Sequence, residues 1–453
     1  MKLSGREPVG RNRLHCARQR CRRSWRSCMC SDALRSRKRA RHEGDEHKVS
    51  LLAGCVGERG YADGPACEAR FCDPAAVALD SEGNVFVADH LNHCIRKVAP
   101  DGVVSTASLR AGSTEFLPRG LVIDADGNVI AIDLERICKV TPEGVVSTLA
   151  GHVSRMGFAN GSAAAARFNE LTGVAVDADG NVIVTDSANA CIRKLTPDGV
   201  VSTLAGRATK AGHADGPAAD ARFDSPWGVA VDPFGNVIVI DAGNNNVRKI
   251  GLDGIVSTIA GPRSQGPSGH VDGPAANARF DELLAVAVDT HGNVIVGEMP
   301  VLDGEVRARV RKIALDGTVS TLACSPRVSG SGDGGTATGG AAWSVSGIAI
   351  DMEGGIVLAG GDDHSIRRLQ TFSQTLGPGL QIFLPPRPTL EADLSALLAD
   401  ELFSDITFAV AAAQVRAHRN ILAARSSYFR GMLSSTLREA QPGAVIAVPD
   451  ISE

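Results

Sequence analysis

Two histidines occupy the same position of a repeated phrase and are the first candidates for metal chemistry. His213 and His270 each open a phrase that continues to Asp-Gly-Pro and ends in Ala-Arg-Phe. Imidazole nitrogen is a common ligand for zinc and copper. The equivalent positions hold Tyr61 and Phe158, so the shared property is an aromatic ring, and packing explains the position better than metal binding. The sequence has no His-Glu-x-x-His or Cys-x-x-Cys motif, and we expect no catalytic residue, metal or cofactor.

Two further kinds of loop resemble ligand sites by composition alone. Residues 124–128 and 177–181 read Asp-Ala-Asp-Gly-Asn and suggest calcium, but a calcium loop of the EF type needs a bidentate Glu at position twelve. They predict hairpin turns instead, in which Gly supplies the positive φ. Residues 330–335 are Gly-rich but lack the following Lys-Ser/Thr of a phosphate loop, so they predict a loose insertion.

Pairs of adjacent basic residues recur at similar intervals along the chain. Clustered basic residues are the usual basis of RNA binding. These pairs are evenly spaced in the sequence, and if the repeats are arranged in a ring the pairs are dispersed around it. The sequence shows neither aromatic residues placed to stack on bases nor one concentrated basic face. We therefore expect solvated side chains or ion pairs between neighbouring repeats. The pairs are Arg96-Lys97, Arg193-Lys194, Arg248-Lys249, Arg311-Lys312 and Arg367-Arg368.

These residues lie in a unit that occurs six times. Each unit has an apolar run, a Gly-Asn turn, a second apolar run, the cationic run and, in most copies, a Val-Ser-Thr run, which predicts four antiparallel strands. The first two runs are apolar on successive residues, so both faces of each sheet must be covered by neighbouring sheets. The turns are Gly83-Asn84, Gly127-Asn128, Gly180-Asn181, Gly235-Asn236, Gly292-Asn293 and the degenerate Gly354-Gly355.

The ends of the array predict how it closes. The sixth unit ends at Arg368-Leu369 without a Val-Ser-Thr run, while an unmatched copy, residues 49–54, precedes the first unit. We expect this N-terminal strand to complete the last sheet and so remove two free edges. The sequence therefore predicts a mainly all-β fold, a six-bladed β-propeller over residues 49–370.

The repeats resemble the NHL family of β-propellers, in the form that carries an inserted loop ending in Ala-Arg-Phe. The phrase spans residues 61–71, 158–168, 213–223 and 270–280. The resemblance implies a six-bladed ring with a central channel, used mainly as a protein- or RNA-binding platform, with lyases and hydrolases as a minority. Its Arg-Phe end is expected to place the aromatic ring between blades, and its Asp-Gly-Pro start to cap a surface turn.

The C-terminal residues 393–453 resemble the first half of a BTB/POZ domain, a small α/β domain. Residues 371–392 form a Pro/Gly-rich linker, a helical pattern precedes Asp405, and a strand at 405–410, a hairpin, a helix at 420–433 and a strand at 445–448 follow. The resemblance implies homodimerisation and docking of a cullin-type ubiquitin ligase. The partner-binding positions that it indicates are Asp405, His418, Arg419, Tyr428 and Phe429.

The N-terminal residues 1–48 differ in composition from the rest. They hold 15 of the 47 Lys and Arg residues and few aliphatic side chains, which predicts a disordered basic tail. This tail is either a solvated segment, the product of a wrongly assigned start codon, or a nuclear or organelle targeting signal. Nucleic-acid binding by the acidic remainder is disfavoured. The eleven cysteines match no common zinc spacing, and no apolar run has the length of a membrane span. Reduced thiols and an intracellular location, cytoplasmic or nuclear, are expected.

The favoured function is a non-enzymatic adaptor, in which the propeller recruits a protein client and the BTB-like part self-associates and docks a cullin. Two alternatives remain: a lyase or hydrolase working in the central channel, and an NHL-type RNA-binding regulator. Converging ionisable side chains in a deep funnel would favour the enzyme, and a positive face would favour RNA.

Overall fold

The computed structural model describes residues 48–109, 116–153, 155–262, 268–302, 305–325, 343–351, 353–370, 406–410, 413–417 and 445–447. The chain divides into two compact units, Met1–Gln374 and Thr375–Glu453. Within the described stretches, no helix is both long and apolar enough to cross a membrane. The predicted basic tail up to residue 47, the linker, the two C-terminal helices and the Gly-rich loop at 330–335 lie outside the described residues.

The first unit consists of six antiparallel sheets, the blades. The chain begins with β1 (Lys48–Gly54). Blade 1 contains β2 (Gly64–Pro65), β3 (Pro74–Leu79), β4 (Val85–Asp89), β5 (Cys94–Val98) and β6 (Val103–Leu109). Blade 2 contains β7 (Pro118–Ile123), β8 (Val129–Asp133), β9 (Arg136–Val140) and β10 (Val146–Gly151). Blade 3 contains β11 (Gly161–Ser162), β12 (Leu171–Val176), β13 (Val182–Asp186), β14 (Cys191–Leu195) and β15 (Val200–Ala205).

The remaining blades follow the same plan. Blade 4 contains β16 (Gly216–Pro217), β17 (Pro226–Val231), β18 (Val237–Asp241), β19 (Asn246–Ile250) and β20 (Ile255–Ala260). Blade 5 contains β21 (Gly273–Pro274), β22 (Leu283–Val288), β23 (Val294–Glu298), β26 (Arg309–Ile313) and β27 (Thr318–Cys324), with the hairpin β24 (Val301–Leu302) and β25 (Glu305–Val306) inserted. Blade 6 contains β28 (Gly347–Ile350), β29 (Ile356–Gly360) and β30 (Ser365–Gln370). Short 3-10 helices follow the second strand at His90–Asn92, Ser187–Asn189 and Ala242–Asn244.

The predicted six-bladed propeller with four antiparallel strands per blade is confirmed. Blades 1, 3, 4 and 5 have one further strand of two residues, contributed by the inserted phrase, on the outer edge of the fourth strand. In blade 4, for example, Gly216 pairs with Val256 and Pro217 with Ile255. The inserted phrase therefore extends the blade edge as well as turning the chain.

Closure by the N-terminal strand is also confirmed. β1 pairs antiparallel with β30, from Val49 opposite Leu369 to Gly54 opposite Ser365, and completes blade 6 in the order β1-β30-β29-β28. The pairing joins residues more than 300 positions apart in sequence. Because a ring of sheets has no unpaired end, this one strand removes two exposed edges from the propeller.

Burial on both faces explains the uninterrupted apolar runs. All five residues of β13 and of β18 are buried. The aromatic ring of each Ala-Arg-Phe phrase fills the space between blades, as expected: Phe168 is fully buried and packs against Ile132 of blade 2 and Val184 of blade 3. Each sheet is thus sandwiched between two others, which fits the Val- and Ile-rich composition of the strands.

The Asp-x-x-Gly-Asn segments are hairpin turns, as predicted. Asp124 accepts hydrogen bonds at Oδ1 from the backbone N–H of Asp126 at 3.0 Å and of Asn128 at 2.8 Å. Gly127 has φ +80°, a backbone conformation in which a side chain would be strained. The Asp side chain therefore supports the turn from inside.

The prediction for the cationic strands was wrong for their arginines. Arg248 is completely buried inside blade 4 rather than solvated or paired between blades. Its guanidinium donates to Asp241 at 2.8 Å and to Asp215 at 2.7 Å, and its Cζ lies 4.9 Å from the centre of the Phe223 ring. Asp241 ends the second strand and Asp215 belongs to the inserted phrase, so one arginine joins the phrase to the sheet. The Asp of Asp-Gly-Pro is thus an ion-pair partner as well as part of a turn.

The same cluster recurs wherever the inserted phrase occurs. Fully buried arginines in blades 1, 3 and 5 occupy the same place, and each lies close to the Phe of its own phrase; they are Arg96, Arg193 and Arg311. Their partners vary, since the phrase of blade 3 supplies Asn160 in place of the aspartate and the second strand of blade 5 supplies Glu298. Blade 2 has no inserted phrase before it and carries Cys138 where the others carry arginine. Blade 6 has no Ala-Arg-Phe phrase before it but keeps a buried arginine at this position, Arg367, which pairs with Asp363 instead.

The described part of the second unit is a three-stranded sheet. Its strands are β31 (Ile406–Val410), β32 (Ala413–Ala417) and β33 (Val445–Ala447). β31 is central, antiparallel to β32 and parallel to β33. The strand, hairpin and closing strand predicted here are present.

Candidate functional site

The propeller has two different faces. The turn face carries the short hairpin turns, such as residues 233–235 and 251–254 of blade 4. The loop face carries the 3-10 helices, which lie at the opposite ends of the same strands. The inserted phrases run along the outer edge of the blades and reach the turn face, where the N–H of Ala218 donates to the carbonyl oxygen of Gly254 at 2.8 Å. Each face has a feature that departs from the repeat and exposes side chains suited to binding, and these two features are the candidate sites.

Three large apolar side chains are exposed together on the turn face, and we call them the apolar patch. They are Phe234, Leu252 and Leu315, with 54%, 71% and 67% of their surface exposed. Each lies in a tight turn whose backbone conformation depends on the following glycine or Asp-Gly pair. Their side chains therefore point away from the core.

The three side chains form one surface across two blades. A methyl group placed on Gly292 would lie 2.9 Å from Cε2 of Phe234 and 3.3 Å from Cδ2 of Leu315. A methyl group on Gly235 would lie 3.4 Å from Cδ2 of Leu252. The side chains of blades 4 and 5 thus converge over the two turn glycines, and glycine keeps the space between them open.

Blades 1 to 3 carry acidic residues or proline at the same positions. The place of Phe234 is taken by Glu82, Asp126 and Asp179 in blades 1 to 3, and the leucine position is proline in those blades. The turn geometry does not require apolar side chains there, since the same turn forms with acidic ones. Exposed clusters of this kind commonly mark a binding surface.

The second feature is the central channel. The first strands of all six blades surround a cavity of about 320 Å³, lined largely by small residues. Gly173 fits so closely that a Cβ there would lie 2.5 Å from the carbonyl oxygen of Trp227 in the next blade. Ionisable side chains reach the cavity at its loop-face mouth; they are Asp73, His90 and Arg119.

His90 is held in one orientation at this mouth. Its Nδ1 lies 3.2 Å from the carbonyl oxygen of Pro118, so Nδ1 donates and Nε2 is left as an acceptor. Burial lowers the pKa of His90 below its ordinary 6.5, which keeps the ring neutral at pH 7. Arg119 is exposed beside it. The pair offers a neutral base and a cation for an anionic ligand.

Sequence reasoning missed both features, although each left a signal. Arg119 occupies a first-strand position that holds Thr172, Trp227, Leu284 and Ser346 in other blades. The apolar patch likewise departs from the acidic consensus of its turns. In both cases, comparing the repeats position by position would have singled out the residue.

The buried arginines explain why the first residue of the inserted phrase carries an aromatic ring. The Phe158 ring centre lies 4.5 Å from Cζ of Arg193, and the Tyr61 ring centre lies 5.0 Å from Cζ of Arg96. His213 Nε2 lies 3.2 Å from Oγ1 of Thr258. Within the residues described, no group of three or more His, Cys, Asp or Glu could hold a metal ion.

The predicted partner-binding residues of the BTB-like part are not placed by the structure. All five lie outside the described residues; they are Asp405, His418, Arg419, Tyr428 and Phe429. Their roles stay a prediction.

A ring of six four-stranded blades closed by its N-terminal strand is a β-propeller, and family models give its type. The NHL repeat matches residues 71–98, the teneurin NHL domain matches residues 154–331, and the BTB/POZ domain matches residues 394–452. The predicted combination of an NHL propeller and a BTB/POZ segment is confirmed. These two kinds of domain support, in general terms, a protein-interaction adaptor.

Individual relatives match one part or the other. BTB/POZ domain-containing protein 9 of Homo sapiens is 46% identical over 61 residues, which are 14% of this chain and 10% of that protein. Protein SUPPRESSOR OF QUENCHING 1, chloroplastic, of Arabidopsis thaliana is 24% identical over 273 residues, 54% of this chain and 26% of that protein. The chain therefore spans from about a tenth to about a quarter of the length of these relatives.

A solved structure confirms the fold. A structural genomics protein of unknown function from Bacteroides thetaiotaomicron superposes with a TM-score of 0.53 at 20% identity, covering 71% of this chain and 75% of that one. At this identity the similarity concerns the fold alone.

Proposed function

We propose that this protein is a non-enzymatic intracellular adaptor, whose propeller recruits a protein client through the apolar patch. The BTB-like part self-associates and docks a cullin-type ubiquitin ligase. The single observation that carries the client site is the convergence of Phe234 and Leu315 over Gly292 on a face that is acidic in the neighbouring blades. The family matches to NHL and BTB/POZ supply the rest of the proposal.

The energetics of the patch are those of a small binding centre. Complete burial of one Leu or Phe side chain contributes about 1.5–3 kcal/mol. Interfaces typically rely on a few such residues surrounded by polar neighbours. The client is therefore expected to present an apolar side chain or short apolar segment that fits across the turns of blades 4 and 5.

The client site is tested by proximity labelling in cells with a biotin ligase fused to the full chain. The variant Phe234→Asp/Leu315→Asp should lower the labelling of the client at least about tenfold, since each 1.4 kcal/mol of lost binding is tenfold in affinity. The matched control is Leu91→Asp, which changes a residue 51% exposed on the loop face. Labelling that the two variants reduce equally, or that neither reduces, would contradict the proposal.

Cullin docking is tested separately with purified full-length protein and an immobilised cullin N-terminal domain. We expect Phe429→Ala to weaken binding at least about tenfold, since an aromatic anchor is removed. Ser426→Ala, three residues earlier, is the control and should bind as the unchanged chain does. Equal binding by Phe429→Ala, or no binding by the unchanged chain, would remove the ligase part and leave the client site standing.

A second candidate function has one observation in its favour, the mouth of the channel. Neutral His90 and the exposed Arg119 could act on, or simply bind, an anionic small molecule. Isothermal titration with a panel of carboxylated sugars and other small carboxylates tests it: heat that is lost in His90→Ala and Arg119→Ala supports channel binding. The RNA alternative loses its main support, because the arginines on which it relied are buried.

A further inference from the structure

The turn face carries negative charge around the apolar patch. Each of blades 1 to 5 has two tight turns on this face, and blade 6 has one. Among the described residues of these turns, nine carboxylates are exposed, whereas no lysine or arginine is. The nine are Glu82, Asp101, Asp126, Glu143, Asp179, Asp198, Asp253, Asp316 and Glu353.

The basic residues nearest to this face pair with other aspartates. Lys139 Nζ lies 3.5 Å from Oδ2 of Asp124, and Lys194 Nζ lies 3.9 Å from Oδ2 of Asp177. In both blades this aspartate is the first residue of the turn and is half-buried, so it is not one of the nine exposed carboxylates. The side chains at this position of the third strands are all half-buried; they are Lys97, Lys139, Lys194, Lys249, Lys312 and Arg368.

The apolar patch lies within this acidic surface. Asp253 directly follows Leu252, and Asp316 directly follows Leu315. Oδ1 of each aspartate accepts the backbone N–H of the residue two positions later, at 3.0 Å and 2.8 Å, which leaves Oδ2 open to a ligand. Interfaces commonly have an apolar centre with a polar rim. The surface therefore fits an apolar side chain that is flanked by cations.

The chain enters the propeller on this same face. β1 begins at Lys48, which lies opposite Gln370, the last residue of the third strand of blade 6. In the other blades the third strand ends in a turn of the turn face, such as residues 251–254. Lys48 therefore lies at the turn-face end of blade 6. Blade 6 packs against blade 5, which carries Leu315.

The segment before Lys48 has the complementary composition. Residues 1–47 contain 14 Lys and Arg against 5 Asp and Glu, and their one tryptophan, Trp25, stands between Arg22-Arg23 and Arg26. A chain from Trp25 to Lys48 spans up to about 75 Å when extended. A compact domain of the propeller's length has a radius of gyration of about 20 Å. Trp25 can therefore reach the apolar patch from the edge of blade 6.

We propose that residues 1–47 dock on the turn face of their own propeller, with Trp25 on the apolar patch and the arginines around it on the acidic turns. Tryptophan supplies a large apolar area, and arginine binds carboxylates through two parallel hydrogen bonds. Because the segment is covalently attached, its effective concentration at the face is high, and modest contacts suffice. The docked segment also limits access of the client to the patch; this consequence rests on the proposed function, whereas docking itself does not.

The test uses the purified full-length protein with the photo-crosslinking residue benzoylphenylalanine in place of Trp25. We expect a cross-link within one molecule to the turns of blades 4 and 5. Phe234→Asp/Leu315→Asp should lower its yield at least about tenfold, since the apolar contact is lost. Leu91→Asp, on the loop face, is the control and should leave the yield unchanged. Cross-links to another surface, cross-links between two molecules, or no cross-link would overturn the proposal.

Charge reversal in the same cross-linkable chain tests the contribution of the acidic turns. Asp253→Lys/Asp316→Lys should lower the yield at least several-fold, because lysines there repel the arginines. Asp362→Lys reverses an exposed carboxylate on the loop face and should have no effect. Raising the salt concentration to about 1 M, where the Debye length is about 3 Å, should lower the yield of the unchanged chain as well. Equal yields in the two lysine variants would contradict docking on the acidic turns.

Access of the client is measured by proximity labelling with Trp25→Asp. Stronger labelling than by the unchanged chain supports competition for the patch, and equal labelling refutes that competition, while the cross-link alone decides docking. If Phe234→Asp/Leu315→Asp loses client labelling and no cross-link forms, docking of the segment is wrong and the client site stands. If the cross-link forms and labelling does not depend on the patch, the client site is wrong and docking stands.

Discussion

The guanidinium of Arg248 donates to the carboxylate of Asp241 at 2.8 Å, and neither side chain is reached by solvent. Asp241 also accepts from the backbone N–H of Asp224 at 2.7 Å and from Asn244 Nδ2 at 2.9 Å. The pair thus ties the third strand of blade 4 to the second strand and to the loop before the first. It is a structural centre of the blade rather than a site on its surface.

Arg248→Met is expected to destabilise the propeller strongly. Removing one partner of a buried ion pair typically costs about 3–5 kcal/mol, because the other charge is left without compensation. Urea unfolding followed by circular dichroism measures this loss. Arg222→Met, an exposed arginine of the same inserted phrase, is the control and should change stability by less than about 0.5 kcal/mol. Similar losses in both variants would contradict the structural role of the pair.

The cost of Arg248→Met should also depend on pH. Burial raises the pKa of Asp241 from 3.8 to about 6, so between these two pH values the folded wild-type protein binds a proton that the unfolded chain does not. This group's contribution to stability is therefore present at low pH and is lost as the pH rises through 6. Loss of the arginine raises the folded-state pKa further. We expect a larger difference between variant and wild type at pH 8 than at pH 5; a difference independent of pH would count against it.

The ring at the start of the inserted phrase should stabilise its blade through the buried guanidinium. Phe158→Ala removes the ring 4.5 Å from Arg193 and is expected to cost about 0.5–2 kcal/mol. Phe158→Tyr should retain most of the stability, and Met156→Ala, at a neighbouring exposed residue, should be close to neutral. Thermal unfolding distinguishes the three. An alanine variant as stable as wild type would show that the ring only covers the loop.

The closing strand is expected to be essential for a stable ring. Deletion of residues 1–54 removes β1 and exposes the edge of β30, whereas deletion of residues 1–46 leaves the strand intact. Unpaired edges promote association between sheets. We expect the longer deletion to aggregate in size-exclusion chromatography with light scattering and the shorter one to elute as the full chain does. Equal behaviour of the two would contradict closure by this strand.

The three buried cysteines should be unreactive in the folded protein. Since burial raises the pKa of Cys94, Cys138 and Cys191 to 11 or above, almost none of their thiolate is present at pH 8. Iodoacetamide followed by peptide mapping should modify them only after unfolding in urea. Cys324, which is exposed, should react in the folded state and serves as the internal control. Rapid native alkylation of Cys191 would contradict its burial.

The number of blades, their strand order and their closure could all be predicted from the sequence. Each follows from a local pattern repeated in register: the Gly-Asn turns, the two apolar runs and the unmatched Val-Ser run at residues 49–54. A pattern that recurs in register predicts the architecture, because one unit cannot bury both faces of its sheet and must therefore stack on the next unit. The BTB/POZ resemblance was likewise readable from a short ordered phrase.

The burial and the partners of individual side chains depend on the tertiary structure. Arg248 lies on a strand that reads as a polar surface, yet an aspartate 33 residues earlier and one 7 residues earlier surround it and remove it from solvent. Phe234 and Leu315 are 81 positions apart and meet only because adjacent blades bring two turns together. Sequence periodicity determines which residues share a sheet, whereas contacts between distant loops and neighbouring blades depend on how the sheets are stacked.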